Sequence, residues 1–174
     1  LMLREDGHVM DDGTCARLGE RHYLMTTTTA AASQVVRHMD FVHQALRPDL
    51  DVSFTSVTEH WAQFAVAGPQ ARALLNGILD RKISDKTMTY MGCGAVQLGG
   101  IAGRLFRISF SGEHAYELAV PARYGDSLFR LLLTRADALG GGPYGMEALN
   151  VLRLEKGFIT HAEIHGRTTA FDIG

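Results

Sequence analysis

The chain has few of the residues that announce a function by themselves. Cysteine occurs twice in 174 residues, at Cys15 and Cys93, with no near neighbours. That leaves neither a disulfide framework nor the paired spacing of a zinc site, and a reducing cytoplasm is the expected compartment. The net charge is −2, so no basic surplus draws the protein to nucleic acid or to an anionic membrane. No run approaches the roughly 18 apolar residues of a spanning helix. The opening LMLREDGHVMDDG carries acids early, without the apolar core of a signal peptide. Gly99, Gly100 and Gly103 cluster between two strands, but they lack the spacing and the strand-to-helix setting of a dinucleotide-binding loop.

What remains is ordinary globular material, 46% hydrophobic and 21% charged. Its length suits one domain or two small lobes sharing a core. Residues 8–26 give three short apolar segments separated by Asp-Gly and Gly-Glu turns, a small antiparallel meander. Asp11-Asp12-Gly13 reads there as a plain turn. Thr29 can cap a helix over residues 30–46, where Val35, Val36, Met39, Val42 and Leu46 repeat at helical steps before Pro48. His38 and His43 share no face as ligands and read as surface residues. Residues 51–58 and 60–67 read as strands, and Gly68-Pro69 opens a helix lined by Ala71, Leu74, Leu75, Ile78 and Leu79. Residues 91–110 supply two more strands. A helix over 124–139 turns Leu128, Leu131, Leu132 and Leu139 inward, and a last helix over 144–157 stops at Gly157.

The most informative stretch is RISFSGEHAYELAVP, residues 107–121. Residues 107–110 alternate like a strand, Ser111-Gly112-Glu113 reads as a turn, and 116–120 as a second strand, a hairpin-like unit. Glu117 is its odd member. Alternation points it away from Tyr116 and Leu118. If only their face is covered, Glu117 is solvated. If both faces are covered, its carboxylate needs a partner.

The pattern R-x-S-[FY]-x-G-E-x-x-[YFW]-E-[LI]-x-x-P in this stretch resembles the folate-site segment of the aminomethyltransferase family. That family includes the glycine cleavage T protein. It also forms the C-terminal part of dimethylglycine dehydrogenases and of the alpha subunit of heterotetrameric sarcosine oxidase. Further blocks agree in order: E-D-G-x-V-M-D-D-G-T-x-A-R-L with Y-L-M-T-T-T-T, then T-S-V-T-E-x-W-A, A-x-x-G-P-x-A-R, P-Y-G-x-E-x-x-x-x-L-R-x-E-K-G-F and G-R-T-T-x-x-D-x-G. Several of them are similar to the sarcosine oxidase branch. The T protein has an arginine where Leu149 stands here, which separates the chain from a true T protein.

The resemblance implies an α+β fold, the folate-binding aminomethyltransferase fold with ferredoxin-like lobes. It implies residues 1–58 as part of a first lobe, and 59–174 as a second lobe leading to a beta-barrel outside this stretch. The chain then reads as a piece of a longer protein. It implies Glu117 as the pterin ligand, since a carboxylate accepts the ring N–H and the exocyclic amine together. Phe110 and Tyr116 are its cofactor-binding neighbours, Phe110 packing on the ring without the hydroxyl that several relatives carry. Asp12, not Asp11, is the catalytic acid near the reacting nitrogens.

The function implied is the tetrahydrofolate-binding part of a sarcosine oxidase alpha subunit. It converts the one-carbon unit from oxidised sarcosine to 5,10-methylenetetrahydrofolate. FAD, FMN and NAD are expected elsewhere in the full enzyme, and the other subunits of a heterotetramer as partners. The alternatives are an aminomethyltransferase of the glycine cleavage type and a non-catalytic folate-binding regulatory module. His161-Ala162-Glu163-Ile164-His165 has the wrong order for a zinc helix, and no metal is expected.

Overall fold

A computed structural model describes residues 1–160 and 162–174. The fold is α+β and divides into two compact units, residues 57–158 and residues 1–56 with 159–174. The last stretch therefore belongs with the beginning of the chain, not with the second lobe as the sequence suggested. Its backbone accounts for this: Val9 N–H donates to the Thr168 carbonyl at 2.8 Å, and His8 bridges Thr169.

The larger unit is a four-stranded antiparallel sheet with two helices packed on its core face. Its strands are β5 (Trp61–Ala67), β6 (Cys93–Leu98), β7 (Ile101–Phe106) and β8 (Ala115–Pro121), in the order β5-β8-β7-β6. Helix α2 (Ala71–Asn76) follows β5, and α3 (Gly125–Asp137) follows β8. Alternation explains the layering. Val66, Leu105, Tyr116, Leu118 and Val120 point to one face and meet Leu74 and Leu75 of α2 and Leu128 and Leu132 of α3 in a single core. Leu75, Leu105 and Leu118 are fully buried, each stabilising by roughly 1.5–3 kcal/mol. Leu131 and Leu139, expected inside, are 38% and 43% exposed: Leu131 lies off the stripe of α3 that carries Leu128 and Leu132, and Leu139 lies beyond the end of the helix at Asp137. Helix α4 (Met146–Lys156) completes the unit.

Two expected strands are absent. Among the described residues, 51–58 join no ladder, the last of them entering a tight turn over Thr58–His60, and residues 107–110 leave the β7–β8 ladder at Phe106 to form an irregular loop. The hairpin between β7 and β8 is real, but its connection is longer than a turn and pairs Phe106 with Glu117.

In the smaller unit, β1 (Met2–Leu3) pairs with β2 (Val9–Asp11), and β3 (Cys15–Gly19) with β4 (His22–Met25). These are two separate ladders, not one meander. The break falls at Asp12 and Gly13. Helix α1 (Ala32–Phe41) runs on into a wider turn over Val42–Leu46. Thr28, not Thr29, serves its entry: the Thr28 hydroxyl accepts the Ala31 amide at 3.3 Å. Short α5 (Ala170–Ile173) is closed by a reciprocal Thr169–Asp172 capping box.

Candidate functional site

The face of β8 opposite the core carries one acid, Glu117, flanked along the strand by Ala115 and Ala119. Glu117 lies on β8, between Ala65 of β5 and Phe106 of β7. Ala65 and Ala115 leave space above the strand, and a cavity of about 150 Å³ opens there, a size at which an apolar cavity takes up an aromatic ring. Its walls are Ile108, Ser109, Phe110 and Ser111 from the loop, with Tyr144 and Leu149 from the α4 region.

Glu117 is half-buried. Its carboxylate accepts a hydrogen bond from the Gln63 side-chain amide. Burial pushes its carboxyl above the ordinary range, and the Gln63 bond partly offsets that. Burial, and then the negative charge of Glu117, likewise raise the Tyr144 hydroxyl, which therefore stays protonated as a donor. Phe110 is 37% exposed and is backed by Phe158, the two rings nearly parallel with centroids 6.2 Å apart. The Ser109 and Ser111 hydroxyls lie 3.4 Å apart, and the Glu113 amide donates to Ser111.

The loop holding this wall is fixed from outside the cavity. Gly112 has φ +80°, and a Cβ there would sit 2.8 Å from Lys156 Cβ, so glycine is required both by conformation and by the close approach of α4. Arg107 spans the loop base, donating to the Ala115 carbonyl at 3.3 Å with its guanidinium over the Tyr116 ring. At the far end of α4, Arg153 donates to the Phe158 carbonyl at 3.1 Å.

The predicted residues thus divide. Glu117 and Phe110 line one cavity. Tyr116 does not line it: it is fully buried among the core residues of the opposite face, as alternation along β8 requires. Asp12 belongs to the smaller unit. There Asp11 is fully buried and accepts both the Thr28 amide and the Thr28 hydroxyl at 2.9 Å. Gly13 is held so tightly that a Cβ would come within 2.0 Å of the Thr26 carbonyl oxygen. Asp12 follows directly between these two anchors and is half-buried.

Tyr144, Gln63 and the two serines were not singled out from sequence. Leu149 was, as a missing arginine, and it stands in the cavity wall. His161 lies outside the described residues. Glu163 turns back to the Thr160 hydroxyl at 2.9 Å. Among the described residues no group of three acids, histidines or cysteines is placed to hold a metal ion, and no helix is long and apolar enough to cross a membrane.

Compared with families of known proteins, residues 1–174 match the GCVT N-terminal domain. The chain belongs to this family. The sarcosine oxidase alpha subunit of Rhizobium meliloti is 52% identical over 176 residues, covering 100% of this chain and 18% of that protein. That of a Corynebacterium species is 40% identical over 179 residues, with the same coverage. An aminomethyltransferase of Thermus thermophilus is 34% identical over 158 residues, covering 91% of this chain and 42% of the relative. The GCVT domain described here therefore spans about a fifth of the length of the sarcosine oxidase subunits it matches.

Proposed function

We propose that the Glu117 cavity holds the pterin ring of tetrahydrofolate, and that the chain is the folate-binding portion of a sarcosine oxidase alpha subunit. The observation that carries this is Glu117 itself: a half-buried carboxylate with one amide partner, at the floor of a ring-sized cavity with an aromatic wall. It has acceptor capacity left, and its raised proton affinity is what a second and third donor would offset. Two adjacent N–H donors on a flat heterocycle meet that need. Phe110 stacks on the ring, Ala65 and Ala115 admit it, and the Tyr144 hydroxyl offers a further donor. Leu149 gives an apolar wall where the T protein would place a cation, which supports the oxidase branch.

Bound tetrahydrofolate would supply the nitrogens that take the one-carbon unit as 5,10-methylenetetrahydrofolate. This chain's part is mainly to position them, which removes much of the entropic cost of bringing two reactants together. Asp12 is the group that stabilises the cationic carbon or relays a proton at the nitrogens. Oxidation of sarcosine would fall to flavin-carrying parts of the full assembly.

The test is calorimetric titration with tetrahydrofolate. Wild type should bind saturably, and Glu117→Gln should lose about 1–3 kcal/mol, the cost of a charged hydrogen-bonded contact. Equal binding by both proteins would remove Glu117 from the site. In the complete enzyme, Asp12→Asn should abolish methylene transfer while sarcosine oxidation continues; unchanged transfer would end its catalytic role.

A further inference from the structure

We propose that His114 is a positioning residue. As a neutral imidazole protonated on Nε2, it locks Arg107 across the base of the loop that forms the cavity wall, and its protonation releases that wall.

The hydrogen-bond geometry leaves one arrangement. Arg107 Nη2 lies 3.0 Å from His114 Nδ1. A guanidinium has donors and no acceptor, so Nδ1 must be the bare, accepting nitrogen. The ring's proton is then on Nε2, which lies 3.2 Å from the Tyr116 hydroxyl oxygen and donates to it. The same guanidinium donates to the Ala115 carbonyl. Arg107 at the start of the loop is thereby tied to His114 and Ala115 at its end, and Ile108, Ser109, Phe110 and Ser111 of the cavity wall lie between them. Tyr116, buried and away from the cavity, acts on it through this chain.

Protonating Nδ1 would set an N–H donor against a guanidinium donor and a positive charge against another. The lock cannot survive that. The other charged and titratable groups facing His114 are Arg72 of α2 and Asp85 in the segment after α2, ion-paired with each other at 2.7 Å. Burial, and then Arg107 and Arg72, hold His114 below the usual histidine range, with Asp85 opposing. The lock is therefore closed at neutral pH and opens on acidification.

Only the binding consequence rests on the pterin reading, so the test has two arms. In the unliganded 174-residue chain, nitrogen NMR of the His114 ring at neutral pH should show a bare Nδ1 and a protonated Nε2. Protection of the amides of residues 108–113, corrected for the intrinsic pH dependence of exchange, should fall in His114→Leu, and in wild type on acidification. His114→Asn, whose amide oxygen can accept from Arg107, should restore protection and lose the acid response. A protonated Nδ1, or loop exchange unmoved in His114→Leu, overturns the proposal. In the second arm, tetrahydrofolate affinity should fall about tenfold in His114→Leu, the effect of one charge-assisted hydrogen bond, and stay within about threefold of wild type in His114→Asn. The expected NMR and exchange results without any tetrahydrofolate binding would uphold the lock and overturn the pterin reading instead.

Discussion

Asp11 and Glu117 are both acids on strands, and their surroundings treat them in opposite ways. Asp11 is fully buried, and each carboxylate oxygen accepts from Thr28. Glu117 is half-buried, has one amide partner, and faces open space. A buried carboxylate costs free energy until its acceptor sites are filled. Asp11 meets that requirement within the fold and so fixes the approach to α1. Glu117 leaves it partly unmet, and a ligand can supply the rest. The contrast separates a structural acid from a binding one, and each can be changed to test it.

The largest effect should come from Asp11→Ala. It strands the Thr28 amide and hydroxyl, and chemical denaturation should show a loss of about 2–4 kcal/mol. Next is Gly112→Ala, where an unfavourable φ and the contact with Lys156 should cost about 1–3 kcal/mol. It should also weaken tetrahydrofolate binding by displacing the cavity wall. Glu117→Gln should be the reverse of Asp11→Ala, with stability at neutral pH unchanged or slightly raised while affinity falls. A large loss of stability there would erase the distinction between the two acids.

The smallest effect is a pH slope. Because the carboxyl of Glu117 is raised, the folded protein holds that proton more tightly than the unfolded chain does. Its contribution to stability is present below the ordinary glutamate value and is lost as pH rises through the raised one. Tetrahydrofolate affinity should increase with pH over the same window, since the charged form is the acceptor. Both slopes should vanish in Glu117→Gln, as read by denaturation and calorimetry at several pH values.

Much of the architecture was legible because it is periodic. Strands β5 and β8 and helices α1 and α3 follow their apolar spacing, and Glu117 stood out by breaking it. Residues 107–110 show why periodicity is not sufficient. Ile108 and Phe110 alternate as in a strand, yet here they face a cavity, and the segment is held by Arg107 and by the approach of α4 at Gly112. Residues 51–58 carry the same pattern and, among the described residues, join no sheet. Gln63 and Tyr144 were not legible as site residues, because strand pairing and the placement of α4 bring them to Glu117 from distant segments. Tyr116, expected as a cofactor-binding neighbour of Glu117, sits in the core on the other face, since the alternation that exposes Glu117 also hides Tyr116.

The return of residues 159–174 to the smaller unit affects the order in which the protein can be made. Domains commonly fold as units while the chain is still being synthesised. The larger unit, ending at Phe158, has its whole sequence outside the ribosome before Thr168 emerges. Until then the buried Val9 has no carbonyl for its amide, and an unpaired buried amide is costly. The smaller unit, though translated first, is the one that must close last.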